Sequence, residues 1–388
     1  MRLQVNKKLL KYFEEFSEYL DDWDNKRSYY INELLPNLKD GYSFSELKSK
    51  RARELYNDIW KYSSSEEWLN FVNIIVKIKE GYAADLFTQL KEKYNFEGFI
   101  HTACFENFIN IMQEKYLYCR NLKKMHIDTA DNDVISNTPD FIKNYVRFYW
   151  RPKTPTNYRN EGIKPKKILN IKEWEAHSPV PVIMIFNSCI AQKEGVNFSD
   201  GNCASKERNI IKNIKDTSCF NWDYVFWDGV IPNYENIHKI TYTKQAELLY
   251  PQKISTSYIN KIVFRSVCDK ERAEMILGRD PRYCVDSTYF ENSFLYVKEY
   301  NFNTKTNTIT ITYNKGECMY KYNVSISDYT HSFVVISKNN KKQKVNISKS
   351  SINEDEGAVQ FKVPIDKESE YICYNIDDIE CIRIKVND

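Results

Sequence analysis

The feature that most constrains this 388-residue chain is that its hydrophobic period changes twice. Up to about residue 93 apolar residues recur three and four apart, as in Leu9, Leu10, Tyr12, Phe13, Phe16 and Leu20, with acids and lysines between them. That spacing lines one face of a helix and predicts a helical region over residues 1–93, with further helices over Ser43–Trp60 and Ser65–Ile78. From about Phe96 short apolar runs take over, among them Val180–Phe186 and Ile259–Phe264, separated by turns rich in Asn, Asp, Gly and Pro. With a helix near Phe105–Lys115, this texture predicts an α+β domain over residues 94–288. Beyond Tyr289 the pattern alternates almost strictly, at Thr308–Tyr313, Tyr322–Ile326, Phe333–Ile336, Val359–Val363 and Ile382–Val386. A period of two marks half-buried strands, so residues 289–388 are expected to form a small β-sandwich.

Composition narrows the class. Hydrophobic residues make up 42% of the chain, enough for packed cores, and no run approaches the roughly 18 consecutive apolar residues of a membrane helix. The N-terminal segment lacks a secretory apolar stretch, which points to the cytoplasm and to no membrane partner. The ten cysteines form no Cys-x-x-Cys pair and no metal spacing with His, so reduced thiols and no metal are expected. A formal charge of +3 neither demands nor forbids a nucleic-acid partner.

Chemistry-bearing residues cluster in the middle region. In Lys244-Gln245-Ala246-Glu247 a strand would project Gln245 and Glu247 from one face. A carboxylate so placed can bind a ribose hydroxyl and stabilise an oxocarbenium-like centre, while the amide two residues earlier meets an acceptor. Gly98–His101 reads as a strand whose terminal His101 can hydrogen-bond a ribose hydroxyl, followed by a polar turn and a helix whose N-terminus offers free N–H groups. In Tyr145-Val146-Arg147-Phe148-Tyr149-Trp150-Arg151 alternate burial leaves Tyr149 free to stack on a nicotinamide, with Arg147 and Arg151 suited to a diphosphate or a DNA backbone. Asn197–Ser205 holds an Asp-Gly-Asn turn ending at Asn202, and Trp222–Gly229 reads as a short aromatic strand. A loop over Val230–Tyr242, with Tyr234 and Tyr242, then leads to Lys244 and is expected to present the acceptor. Lys164, Lys166, Lys167 and Lys172 are candidates for tracking phosphates.

Each signal recurs by chance in other proteins, but their order does not. FIHTACFENFINIM, NYVRFYWRPKTPTNY, VNFSDGNCAS and KQAELLYPQKIS over Phe96–Ser266 together resemble the DarT family of ADP-ribosyltransferase toxins. The resemblance implies a split mixed sheet that grips NAD as substrate, without a metal, and transfers ADP-ribose to thymidine in single-stranded DNA. It implies Glu247 as catalytic carboxylate, His101, Thr102 and Asn107 as NAD ligands, and Tyr149 beside the nicotinamide ribose. Gln245, Tyr234, Tyr242 and Lys244 would face the acceptor. It further implies a role as the toxin of a toxin–antitoxin or anti-phage system, with an antitoxin bearing a macrodomain as partner. Where the family carries an arginine, Asp128–Lys143 has none, and Arg147 and Arg151 are the candidates to replace it. Asn202 stands where the family often has histidine. The alternatives left open are the same chemistry on RNA or protein, an NAD glycohydrolase, and a catalytically degenerate nucleic-acid-binding module.

Overall fold

The computed structural model describes residues 7–20, 29–30, 34–35, 49–62, 71–72, 75, 85–123, 127–129, 132–231, 234–348, 352, 358–363 and 365–386. The chain divides into two compact units. The first comprises Met1–Glu97, Ser188–Phe198 and Ile210–Phe220. Its helices α1 (Lys7–Glu18) and α2 (Lys50–Tyr62) pack together and bury Phe13, Phe16, Leu20, Leu55 and Ile59 in one core, so the spacing of three and four is the buried stripe. Phe71 joins it, its ring 4.3 Å from that of Phe13. Of the second expected helix, the stretch from Lys50 is helical, and residues 43–48 lie outside the described residues. Most of the third expected helix also lies outside them. Residues 85–94 are helical.

The second unit holds Gly98–Asn187, Ser199–Asn209 and Asn221–Asp388. Its strands begin with β1 (Phe99–Cys104), which runs into α3 (Phe105–Glu114), and β2 (Tyr116–Tyr118). There follow β3 (Tyr145–Tyr149), α4 (Pro155–Asn160) and β4 (Pro181–Phe186). Along the chain there follow β5 (Asn197–Ser199) and β6 (Ile210–Ile211), which apart from Ser199 fall in the first unit, and then, in the second, α5 (Trp222–Val225) and α6 (Tyr234–Thr243). Next come β7 (Glu247–Pro251), β8 (Lys253–Ser255), β9 (Ile259–Phe264), α7 (Val267–Leu277) and β10 (Tyr283–Val285). Six of these strands lie side by side in the order β10-β9-β4-β1-β3-β7. All neighbours are antiparallel except β9 and β10, so the sheet is mixed. Central β4 is buried at every position, as expected of a strand covered on both faces.

The C-terminal segment forms two antiparallel sheets. One joins β11 (Tyr296–Asn303), β12 (Thr308–Asn314) and β15 (Ala358–Lys362); the other joins β13 (His331–Ser337), β14 (Lys342–Asn346), β16 (Ser369–Ile376) and β17 (Ile379–Lys385). Both contribute to one core, where Ile309, Ile311, Phe333, Phe361 and Tyr374 meet Trp174 and Phe294. The architecture is α+β, as the periodicity predicted.

Three local expectations fail. Trp222–Gly229 is not a strand: Asn221 caps α5 there by accepting from Tyr224 N at 3.1 Å. Val230–Tyr242 is not a loop, because α6 occupies Tyr234–Thr243 and seats Ile240 in the interior. Tyr322–Ile326 is not a strand either; Val324 N bonds Met319 O at 2.7 Å and Ser325 opens a short 3-10 turn in a capping box with Asp328. In the first and third cases polar caps divert an apolar run from the extended form. Among the described residues no helix is long and apolar enough to cross a membrane.

Candidate active site

The mixed sheet frames a cavity of about 350 Å³ whose wall includes His101, Thr102, Arg147, Tyr149, Thr156, Asn157, Arg159, Asn202, Gln245 and Phe290. Strand parity explains why. On β3, Val146 and Phe148 are buried, so Arg147 and Tyr149 project to the opposite, cavity side. On β1 the half-buried pair is His101 and Thr102.

Beneath this wall lies Glu247, the first residue of β7 and fully buried. Register pairs it with Tyr149 and sets Arg147 opposite Leu249. Arg147 grips the carboxylate with both prongs, Nε on Oε2 and Nη2 on Oε1 at 2.6 Å. The backbone N–H of Cys203 adds a third bond to Oε1 at 3.3 Å. A carboxylate has about four lone-pair positions, so one acceptor position on Oε2 is left. Burial disfavours the Arg147 charge, but the Glu247 carboxylate overrides it and holds the guanidinium's pKa well above its ordinary value. Burial first, and the Glu247 charge second, push the Tyr149 phenol up to about 12, so it stays neutral.

His101 Nδ1 lies 3.0 Å from the Arg147 carbonyl, which assigns the proton to Nδ1. Burial lowers the His101 pKa, keeping the ring neutral. Its Nε2 is buried with no hydrogen-bond partner among the described residues and is left as an acceptor on the cavity side. Thr102 Oγ1 accepts from Asn157 Nδ2 at 3.4 Å.

Gln245 lies in the turn after α6, not on the strand with Glu247, yet it reaches the cavity. Its Oε1 accepts from Thr156 Oγ1 at 2.9 Å and from Asn202 Nδ2 at 3.3 Å, and its Nε2 donates to Thr241 O at 3.1 Å. The amide therefore ties three chain segments together. Asn202 Oδ1 in turn accepts from Ala204 N at 2.9 Å, which fixes the Asp-Gly-Asn turn.

Other expected site residues lie outside the cavity wall. Asn107 bonds both ways with Ile127, donating at 2.7 Å and accepting at 3.0 Å, and so anchors the segment that carries Thr129 to the wall. Arg151 is buried and spends its guanidinium on the carbonyls of Pro152 (2.8 Å) and Trp227, with Asp228 at 3.7 Å. Tyr242 donates to Asp200 at 2.6 Å and lies against Gly201, where an added Cβ would be 2.3 Å from its ring. Lys244 is half-buried, and burial lowers its pKa. Tyr234 opens α6, and its side chain lies outside the described residues.

The lysines expected to follow phosphates are largely engaged internally. Lys164 is buried against Ala176 O (2.5 Å) and Arg159 O, its pKa lowered to about 7 by burial. Lys167 pairs with Asp328 at 2.7 Å and Lys172 with Asp133 at 2.8 Å. Sequence reading missed Thr156, Asn157 and Arg159. Thr154 caps α4 by accepting from Asn157 N at 3.3 Å, with Pro155 at the first helical position, and this Thr-Pro-Thr-Asn signature was the available signal. The exposed Arg159 makes no ion pair among the described residues. No group of three or more potential metal ligands occurs among those residues.

Residues 100–291 match the family model described as ssDNA thymidine ADP-ribosyltransferase, DarT. Similar solved structures include Thermus sp. 2.9 DarT in complex with ADP-ribosylated ssDNA, at 16% identity and a TM-score of 0.41 over 50% of this chain and 95% of that one. The same Thermus protein in complex with NAD+ gives 16% identity and a TM-score of 0.40 over 50% and 96%. Thermosipho africanus DarTG in complex with ADP-ribose gives 16% and 0.38 over 55% and 54%. No curated protein matches the chain.

Proposed function

Because residues 100–291 form a domain of the DarT family of ADP-ribosyltransferases, we propose that this chain transfers ADP-ribose from NAD to a thymine base of single-stranded DNA, with Glu247 at the reacting ribose. The observation that carries the reading is the buried Glu247–Arg147 pair beneath a cavity lined by a neutral His101 and a neutral Tyr149.

The reaction breaks the bond between the ribose anomeric carbon and the nicotinamide nitrogen and forms one between that carbon and the base. Positive charge develops on the sugar as nicotinamide leaves, and an ionised carboxylate lowers that barrier. Arg147 holds the Glu247 carboxylate in place, while the remaining position on Oε2 accepts the ribose 2′-hydroxyl. His101 Nε2 accepts a second ribose hydroxyl, and Tyr149 packs on the nicotinamide side. Arg159 is the cation open to the diphosphate. The departing proton of the base passes to Glu247. Gln245 orients the acceptor, and its bonds to Thr156 and Asn202 hold it ready before substrate arrives. A base reaches such a cavity only when unpaired, which favours single strands. The same reading makes the chain a cytoplasmic toxin whose antitoxin removes ADP-ribose.

The test is mass spectrometry of oligonucleotides incubated with the protein and NAD. A gain of one ADP-ribose on thymine-containing single-stranded DNA, absent from thymine-free strands and lost in Glu247→Gln, is expected. Adducts on RNA or protein alone would replace the acceptor, and free ADP-ribose without any adduct would replace transfer by hydrolysis.

A further inference from the structure

The small sheet formed by β2 and β8 stands apart from the cavity wall, since none of its residues lines the cavity. Its two faces differ. Leu117 and Ile254, paired across the strands, are each 1% exposed and point inward. Tyr116, Tyr118 and Lys253 occupy the outward face, with Tyr116 38% exposed. An outward face usually carries polar side chains; this one carries two aromatic rings two residues apart, and no carboxylate.

The rings have centroids 6.1 Å apart and are tilted by 49°. Lys253 Nζ lies 4.8 Å from the Tyr116 centroid and 5.9 Å from that of Tyr118. Lys253 makes no ion pair among the described residues. Lys123 Nζ lies 5.6 Å from the Tyr118 ring and also pairs with Glu114. Adjacent rings on a sheet face, with a mobile lysine ammonium lying over them, are the elements by which proteins stack successive bases and neutralise the phosphate between them.

The sheet is also wired to the reaction centre. β7 starts at Glu247 and ends at Pro251; Gln252 turns the chain at φ 58°, and Lys253 begins β8. The extended strand from Glu247 to Pro251 alone spans about 13 Å. A platform beyond its far end suits nucleotides a few positions from the base being modified.

We propose that Tyr116, Tyr118 and Lys253 form a secondary stacking platform for the single-stranded DNA flanking the modified base. The proposal rests on the nucleic-acid reading of the cavity. It makes affinity depend on strand length, with the platform acting on binding and leaving the chemical step alone.

The test uses the full chain without NAD and a fluorescent single-stranded DNA of about twelve nucleotides, long enough for a typical stacking groove. Tyr116→Ala/Tyr118→Ala is expected to weaken binding about tenfold per ring, and Tyr116→Phe/Tyr118→Phe to bind like wild type. Lys253→Ala should lower the salt slope by about 0.7, the share of one phosphate contact on a single strand. With NAD, the alanine pair should raise KM for the long oligonucleotide, leave kcat unchanged, and barely affect a strand of about four nucleotides. The exposed single variant Tyr116→Ala serves if the pair disturbs the melting temperature. Unchanged affinity in a folded alanine variant overturns the platform, as does equal loss in the phenylalanine pair. Ring-dependent binding of RNA with none of DNA overturns the assigned occupant. Ring-dependent DNA binding without any transfer supports the platform and refutes the function proposed for the cavity.

Discussion

Replacing Arg147 by methionine strips Glu247 of two of its three hydrogen bonds while preserving much of the buried stem. The carboxylate is 0% exposed, so the variant leaves an ionised group in the interior with only Cys203 N for company. Breaking a buried pair in this way costs ~3–5 kcal/mol. The arginine side of this pair is 29% exposed, so water entering the vacated space offsets part of the cost, leaving about 2–3 kcal/mol. At ~2–4 °C per kcal/mol in a unit of this size, melting should fall by roughly 5–10 °C at pH 7. The burden is a buried carboxylate left with too few donors. Adding Glu247→Gln should recover most of the loss at pH 7, because the coupling disappears with the charge. Differential scanning fluorimetry of wild type, both single variants and the double variant closes the cycle. An Arg147→Met protein that melts within a degree of wild type at pH 7, or a double variant that recovers none of the loss, would refute this account of the pair.

Two further outcomes follow from the same geometry. Arg151→Met should cost stability, by about 1–3 kcal/mol for the carbonyls it leaves unpaired, and should leave the chemical step intact once the fold is secured by low temperature. A fall in kcat of a hundredfold or more, with unchanged melting, would return Arg151 to the reaction. His177 accepts from Lys164 N at 3.4 Å, and burial first, then the Lys164 charge, lower its pKa to about 4. A histidine lowered on folding stabilises the protein above its unfolded value of ~6.5, and that contribution is lost as pH falls from there toward 4. His177→Gln should therefore narrow its stability gap to wild type by on the order of 2 kcal/mol across that window, and a gap that stays constant with pH would contradict the assignment.

What the chain's own order determined was its periodicity and its strand parity. A spacing of three and four in α1 and alternation in β12 and β15 mark elements whose buried face is written locally. Parity also sent Arg147 and Tyr149 to the face of β3 opposite Val146 and Phe148. Tertiary structure alone decided between the two arginines. Arg147 and Arg151 look alike in sequence, but β3 ends at Tyr149, so alternation carries no information about Arg151, and its partner carbonyls on Val225 and Trp227 come from residues more than 70 positions away. Register across β3 and β7 likewise brings together Arg147 and Glu247, 100 residues apart. Gln245 reaches its site from a turn and not a strand, because its bonds to Thr156, Asn202 and Thr241 outweigh the extended pattern of its neighbours. Local pattern chooses which face a side chain occupies; which partner it meets there depends on strands that only the folded sheet sets side by side.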